Sequence, residues 1–338
     1  MQAVVLDKPG SAAVKAVREP EAIQNDEILL RVRKVGLCGS DLNSYRGRNP
    51  LVSFPRILGH EVAATVAELN PLHPEWQPGM DVTLSPGSNC GKCGSCAHGR
   101  PNACQFNETL GVQRDGALTE FIKVQASRVY RGNLSLKELC LVEPMTIGFH
   151  AVARGRVTAE DTVAVFGCGG VGLGAVAGAA FRGATVIGVD VDDAKVETAR
   201  KAGATHTVNS TSGNLHTRLG ELTDGHGPDV IIEAIGVPET YRAAVEEVAY
   251  AGRVVYIGWA KEQIAYETRH FVHKELDILG SRNAQPEDFH EVIRMLEAHR
   301  FPVEEAVTHM VPMSEAPGIL EAWNRDPAHF TKIMIEVS

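Results

Sequence analysis

Thr162–Phe166 is a short apolar run, TVAVF, that passes directly into Gly167-Cys168-Gly169-Gly170-Val171-Gly172 and then into the uncharged stretch LGAVAGAAF. The G-x-G-x-x-G pattern means little alone. It gains force when it follows a strand, opens a helix and is answered by an acid at the end of the next strand. Here Asp190 closes ATVIGVD, eighteen residues after Gly172. Such glycines permit a tight turn and a close backbone approach, and the free N–H groups of the helix start face a pyrophosphate. Gly167, Gly169, Gly170, Val171 and Gly172, with Asp190 and Lys195, are the expected cofactor residues. An acid at Asp190 accepts from the adenosine ribose and repels a 2′-phosphate, which favours NAD over NADP. Val191, not Arg or Ser, follows it. The competing reading is a glycine-rich turn in an ordinary α/β fold.

The same segment imitates a membrane span. Val163 to Phe181 holds nineteen residues without a charge, near the ~20 that a spanning helix needs. Six of them are glycine, and they divide into a strand, a turn and a helix. No membrane association is expected.

THTVN, DVIIEA, RVVYIG and LDILG supply further strands, with helical stretches between several of them. Alternating strand and helix implies a parallel, doubly wound sheet. The first 145 residues or so read differently. EILLRVRKVGLC and HEVAATVAEL alternate apolar and polar residues, the period of half-buried strands. Pro-Gly pairs at 9–10, 78–79 and 86–87 punctuate them. After about residue 283, FHEVIRMLEAHRF and SEAPGILEAWNRD look helical and FTKIMIEV looks like a final strand. This tail is expected to return to the first domain, giving 1–146 with 284–338 as one domain and 147–283 as the cofactor domain.

The net charge of −9 and the lack of any Lys/Arg run exclude a nucleic-acid binder, because phosphate neutralisation supplies most of such affinity. The start MQAVVLDKPG has no basic-then-apolar signal pattern. A cytoplasmic location is expected. Seven cysteines, an odd count, do not look like a secreted disulfide framework. Four of them, Cys90, Cys93, Cys96 and Cys104, form C-x2-C-x2-C-x7-C. Four thiolates at close spacing suit a closed, tetrahedral zinc site of the structural kind; an iron–sulfur cluster is the rival. The lobe carries only Lys92 and Arg100 as cations, which opposes a DNA-reading zinc finger.

Three further segments offer metal donors: Gly36-Leu37-Cys38-Gly39-Ser40-Asp41, Gly59-His60-Glu61 and Val142-Glu143-Pro144. An open catalytic zinc site needs three protein ligands plus water or substrate. Each segment alone is ambiguous, since a lone Cys or His is more often a core residue.

Taken in this order, the three segments, the cysteine lobe and the glycine motif resemble the zinc-containing medium-chain dehydrogenases over essentially the whole chain. The resemblance implies an α/β chain with a GroES-like, β-rich catalytic domain and a Rossmann cofactor domain. It implies two zinc ions per chain, one catalytic and one structural, NAD as cofactor, and a homodimer or homotetramer. Glu143 in EPMTIGFHA stands where alcohol dehydrogenases proper carry a cysteine, which is similar to the polyol and sugar-acid branch. The LGSRN segment (279–283) looks most like the aldonate group. By resemblance, Cys38 and His60 bind the catalytic zinc, and Glu61 and Glu143 compete for the remaining protein position. Asp41 braces His60, and Ser40 passes the alcohol proton outward. Many relatives carry a histidine two residues after this aspartate, as the outer end of the proton relay. Here it is Asn43, which does not titrate near neutral pH.

The implied reaction transfers hydride between NAD and a secondary hydroxyl of a sugar acid, an aldonate such as L-gulonate or L-galactonate at its 5-position. The alternatives are a polyol or polyol-phosphate dehydrogenase and, in another class, a catalytically silent NAD-binding regulatory protein. The intact set of Cys38, Ser40, His60 and Glu143 opposes the last. An aldonate carboxylate needs a cation. Arg114 and Arg282 are the candidates, with Arg46 and Arg48 weaker. His73 and His98 are expected at the surface.

Overall fold

The computed structural model describes residues 1–337. The chain forms two compact units: Met1–Glu143 together with the chain from Val303 onward, and Pro144–Pro302.

The first unit is built on antiparallel sheets. Its long central strand β1 (Glu27–Leu37) leads into a short helix, α1 (Gly39–Tyr45). It pairs with β2 (Glu61–Leu69) on one side and with the C-terminal strand Ile333–Glu336 on the other. Leu30, Val32, Val35, Val62, Ala64 and Ile335 point into one apolar core. Register matters more here than sheet size. Gly36 lies opposite Glu61 on one side and Met334 on the other, and Leu37 lies opposite Ile333. Three antiparallel strands therefore bring the end of β1, the start of β2 and the residue before Ile333 to one place. The four-cysteine segment leaves this unit as a lobe with a short hairpin, Gly87–Ser88 paired to Glu108–Thr109.

The helix α2 (Leu136–Arg154) carries the chain into the second unit. There follow β3 (Thr162–Phe166), α3 (Gly170–Phe181), β4 (Thr185–Asp190), α4 (Asp193–Lys201), β5 (His206–Asn209), β6 (Val230–Glu233), α5 (Pro238–Glu247), β7 (Arg253–Tyr256), β8 (Asp277–Gly280) and α6 (Pro286–Glu297). The six strands are parallel, in the spatial order β5-β4-β3-β6-β7-β8. Val163 and Val165 enter one core with Leu173 and Val176, while Ala164 and Phe166 enter another with Leu219 and Ala244. A parallel sheet covered on both faces buries both sides of its central strands, which is why TVAVF reads as a near-continuous apolar run. The uncharged stretch from Val163 is thus β3, a turn and α3, and among the described residues no helix is long and apolar enough to cross a membrane.

One boundary differs from expectation. The tail returns to the first unit at Val303, not at 284. The helix α6 stays with the second unit, where buried Asp288 accepts from His150 Nδ1 at 2.8 Å and Glu291 takes a two-pronged bond from Arg182 at 2.8 and 3.1 Å. An amphipathic pattern reveals an apolar face but not the domain against which it will pack.

Candidate active site

Cys38 follows β1 directly and occupies the N-cap of α1. His60 stands immediately before β2, and Glu61 is its first residue. The ligand atoms of Cys38, His60 and Glu61 all lie within 4.8 Å of one another. Asp41 joins the two segments: its Oδ2 accepts from the Cys38 N–H at 2.9 Å and its Oδ1 from the Gly59 N–H at 3.2 Å. Asp41 does not brace His60 by a direct hydrogen bond, since the carboxylate is 3.9 Å from Nδ1. Both carboxylate oxygens already serve backbone donors, so Asp41 braces His60 through the main chain on either side of the metal donors. His60 Nδ1 is buried without a hydrogen-bond partner. An orphaned buried nitrogen is costly unless a ligand takes its lone pair. Burial pulls the His60 pKa down, but Asp41 and Cys38 outweigh it and hold it well above the ordinary imidazole value.

Glu61 is 1% exposed, and both of its oxygens accept from Lys332 Nζ, at 2.6 and 2.7 Å. Lys332 also donates to the Leu37 carbonyl at 3.3 Å. A Cβ on Gly36 would lie 2.0 Å from Glu61 Oε2, so a side chain at 36 and this carboxylate exclude each other. Lys332 is the site residue that sequence reasoning missed. The signal was there: a lone cation heading an apolar terminal strand, KIMIEV, is a candidate for a buried ion pair, because Lys is almost never fully buried unpaired.

Glu143 is buried on α2, just before Pro144. Burial pushes its carboxyl up to about 7, with His60 pulling it down and Glu61 pushing it further up. Three buried carboxyls, Asp41, Glu61 and Glu143, thus share a neighbourhood with one buried ammonium. This excess of negative groups, one thiol and an orphaned imidazole nitrogen fit a divalent cation such as zinc. Glu61 is the carboxylate within the donor trio, anchored by Lys332. Ser40 lies half-buried in the first turn of α1, and half-buried Asn43 lies a turn later, where its carbonyl accepts from Arg48 N–H at 2.8 Å.

The second donor group is Cys90, Cys93, Cys96 and Cys104. Cys93 Sγ lies 3.5 Å from Cys96 Sγ and 3.7 Å from Cys104 Sγ, and Cys104 and Cys90 are 3.7 Å apart. A tetrahedron with zinc–sulfur bonds of ~2.3 Å has edges of about 3.8 Å, so the four sulfurs fit a closed zinc site. Backbone N–H groups of Cys90, Cys93 and Phe106 point at these sulfurs at 3.3 to 3.4 Å, and the Ser95 hydroxyl first among several donors pulls Cys93 down to about 5. All seven cysteines are free of disulfides. Cys93→Ser is expected to release this zinc and lower the melting temperature, with turnover per folded molecule largely kept. Calorimetry with metal analysis checks this; an unchanged melting temperature after loss of that zinc would speak against a structural role.

In the second unit, Gly167 turns with φ +94° and Gly169 caps α3. A Cβ on Gly172 would fall 1.7 Å from the Gly167 carbonyl, so only glycine closes this turn, while one on Gly169 would meet nothing within 4 Å. The start of α3, from Gly170 and half-buried Val171, therefore presents an open face for a pyrophosphate. Asp190 Oδ2 accepts from the Cys168 N–H at 2.7 Å, and Oδ1 from Val191 and Asp192 at 2.8 and 3.2 Å. The acid thus also fastens the glycine turn to the end of β4. Lys195 lies in the first turn of α4, its N–H bonded to the Asp192 cap at 3.1 Å. The cradle fits a dinucleotide.

The expected substrate cations lie apart in kind. Arg114 belongs to a loop bonded to the strand that enters His60, through Gly116 N–H to Ile57 O at 2.7 Å and Ala117 N–H to Gly59 O at 2.9 Å. Its Nη2 donates to Pro86 O at 3.1 Å, while Nε is buried without a hydrogen-bond partner. Burial lowers the Arg114 pKa. Arg282 is exposed after β8 in the second unit. Arg46 is committed to Asn324 at 2.7 and 2.9 Å, and Arg48 is exposed. His73 bonds Asn25 O at 3.1 Å and His98 bonds Gly94 O at 2.6 Å, both outside the donor groups.

Residues 24–133 match the alcohol dehydrogenase GroES-like domain, and residues 170–298 match the zinc-binding dehydrogenase family model. The chain is 34% identical to a zinc-type alcohol dehydrogenase-like protein of Haemophilus influenzae over 98% of each chain. It belongs to the zinc-type alcohol dehydrogenase family. It is 35% identical to a sorbitol dehydrogenase of Bacillus subtilis, over 83% of this chain and 81% of that one. It is 28% identical to the L-galactonate-5-dehydrogenase of Escherichia coli, over 96% and 95%. Among solved structures it is similar to galactitol-1-phosphate dehydrogenase of E. coli (TM-score 0.92, 25% identity, 100% of each chain). It is also similar to an E. coli alcohol dehydrogenase complexed with NADH (TM-score 0.90, 28% identity, 100% and 99%). The two units are thus a GroES-like domain and a Rossmann domain. Members of this family are oxidoreductases, and the family's cofactors are zinc and a nicotinamide dinucleotide.

Proposed function

We propose that this zinc-type dehydrogenase oxidises a secondary hydroxyl of an aldonate, such as L-gulonate or L-galactonate at its 5-position, and passes the hydride to NAD. The observation that carries the substrate class is Arg114. Its half-buried guanidinium keeps an unspent donor, on a loop fastened beside His60. A guanidinium with free donors in a partly dry setting suits a carboxylate. The E. coli relative that acts on L-galactonate supports the same reading.

When bound, zinc supplies Lewis acidity to the substrate hydroxyl and NAD supplies the hydride acceptor. The chain does the rest. Cys38, His60 and a carboxylate would hold the metal. Lys332, bonded to both of its oxygens, fixes Glu61 in direction. Ser40 Oγ receives the alcohol proton. Asn43, whose amide does not titrate near neutral pH, does not carry that proton further.

A neutral polyol is the second reading, favoured by the 35% identity to a sorbitol dehydrogenase. A panel of aldonates and polyols, scored by kcat/KM from NADH absorbance, separates the two. Arg114→Ala is expected to lower kcat/KM on aldonates about a hundredfold, the loss of a charge-assisted bond of ~1.5–3 kcal/mol, and to spare polyols. Equal loss on both would remove the carboxylate role and favour the polyol.

A further inference from the structure

We infer that Trp259 is a cofactor-contacting residue at the nicotinamide end of the dinucleotide, an aromatic platform held in place by Glu233. The inference rests on the NAD reading of the glycine turn and goes beyond it.

Trp259 is 77% exposed, whereas Trp76 and Trp323 in the first unit are each 9% exposed. An indole this exposed is unusual, because tryptophan carries a large apolar surface and is mostly buried. Its backbone, however, is not loose. Glu233, at the end of β6, is 0% exposed. Its Oε1 accepts from the N–H groups of Ile235 and Gly236 at 2.9 and 2.8 Å and from Thr240 Oγ1 at 2.7 Å. Its backbone carbonyl accepts from Ile257 and Gly258 at 2.9 and 3.1 Å. One residue thereby fixes both the turn after β6 and the turn after β7. The two turns also interlock. A Cβ on Gly236 would lie 2.9 Å from Trp259 N, and one on Gly258 would lie 2.5 Å from Glu233 Oε2. The Tyr241 hydroxyl donates to the Gly258 carbonyl. A rigid main chain thus carries a solvent-facing indole.

Topology says what the indole faces. Ligands of doubly wound sheets lie across the carboxyl ends of the strands at the point where strand order reverses. Here that point lies between β3 and β6. The glycine turn follows β3 and would hold the pyrophosphate. Asp190 ends β4, on one side, and would hold the adenosine ribose. The other half of the dinucleotide must then run over β6 towards β7. Two strand spacings separate β3 from β7, about 10 Å, well within its reach. Ile235 links the two places: a Cβ on Gly167 would lie 2.6 Å from Ile235 Cγ1. Ile235 and Val237 are themselves exposed, so an apolar ledge leads from the glycine turn to Trp259.

The test is contact quenching of tryptophan emission, with binding followed independently by titration calorimetry. NAD+ is expected to quench the protein's exposed-indole emission. ADP-ribose, which keeps the adenosine and both phosphates but lacks the nicotinamide, is expected to bind without quenching. Trp259→Phe is expected to abolish the quench. Trp259→Ala is expected to weaken NAD+ about fivefold, the scale of one lost aromatic contact, and to leave ADP-ribose binding unchanged. Calorimetric binding of NAD+ with unchanged emission would overturn the inference while leaving the NAD reading intact. So would equal weakening of NAD+ and ADP-ribose by Trp259→Ala, the mark of a merely structural role. No heat of binding with either ligand would overturn both.

Discussion

Cys38→Ala is expected to lower kcat/KM by a thousandfold or more while NAD binding is kept. The metal's Lewis acidity is worth several kcal/mol in the transition state, and each ~1.4 kcal/mol is tenfold in rate. The substitution removes one member of the donor trio but spares the fold. Asp41 holds the backbone N–H of residue 38, so this half of the α1 capping box survives. The glycine turn and Asp190 belong to the other unit and keep their own hydrogen bonds. Metal analysis should show one zinc lost and the four-cysteine zinc retained. Undiminished turnover in this variant would be incompatible with a catalytic metal at Cys38.

Lys332→Met is expected to produce the largest loss of stability of any single substitution near the site. It strands the Glu61 carboxylate, buried and with both oxygens deprived of their partner. Removing one member of a buried pair costs about 3–5 kcal/mol. For a unit of this size, 1 kcal/mol corresponds to about 2–4 °C in melting temperature, so the fall is roughly 10 °C. The double variant Lys332→Met with Glu61→Gln should recover much of the loss, because the unpaired charge is then gone. Turnover should not recover with it, since Glu61 belongs to the donor trio. Thermal melts of the parent protein and the two variants decide the matter. A melting temperature unchanged by Lys332→Met alone would mean that the pair does not hold the site together.

The second unit was nearly transparent in the sequence. Its central strands are local apolar runs bounded by turns, and Asp190 and the glycines carry their geometry in their spacing. The four-cysteine lobe was legible for the same reason, since Cys90 to Cys104 are neighbours along the chain. What escaped was non-local. Lys332 meets Glu61 only through the register of β1 between β2 and the final strand, and no periodicity announces a partner 271 residues away. The return of the tail at Val303 depends on which surface receives α6. Asp41 was recognised as a brace, but the atoms it braces are backbone N–H groups, which a sequence does not display. The choice between Glu61 and Glu143 was open for a similar reason: each lies on a different element, and only the fold brings one carboxylate against Lys332.

The most direct measurement is NADH formation from the aldonate and polyol panel as a function of zinc content. The protein is first depleted by a chelator of the zinc it loses most readily, then titrated with zinc. The account predicts that turnover vanishes with loss of about one zinc per chain while the four-cysteine zinc stays, and that it returns in step with the same amount restored. NADH formation that persists in the depleted protein would contradict it. So would a chain loaded with both zincs that oxidises no secondary alcohol in the panel.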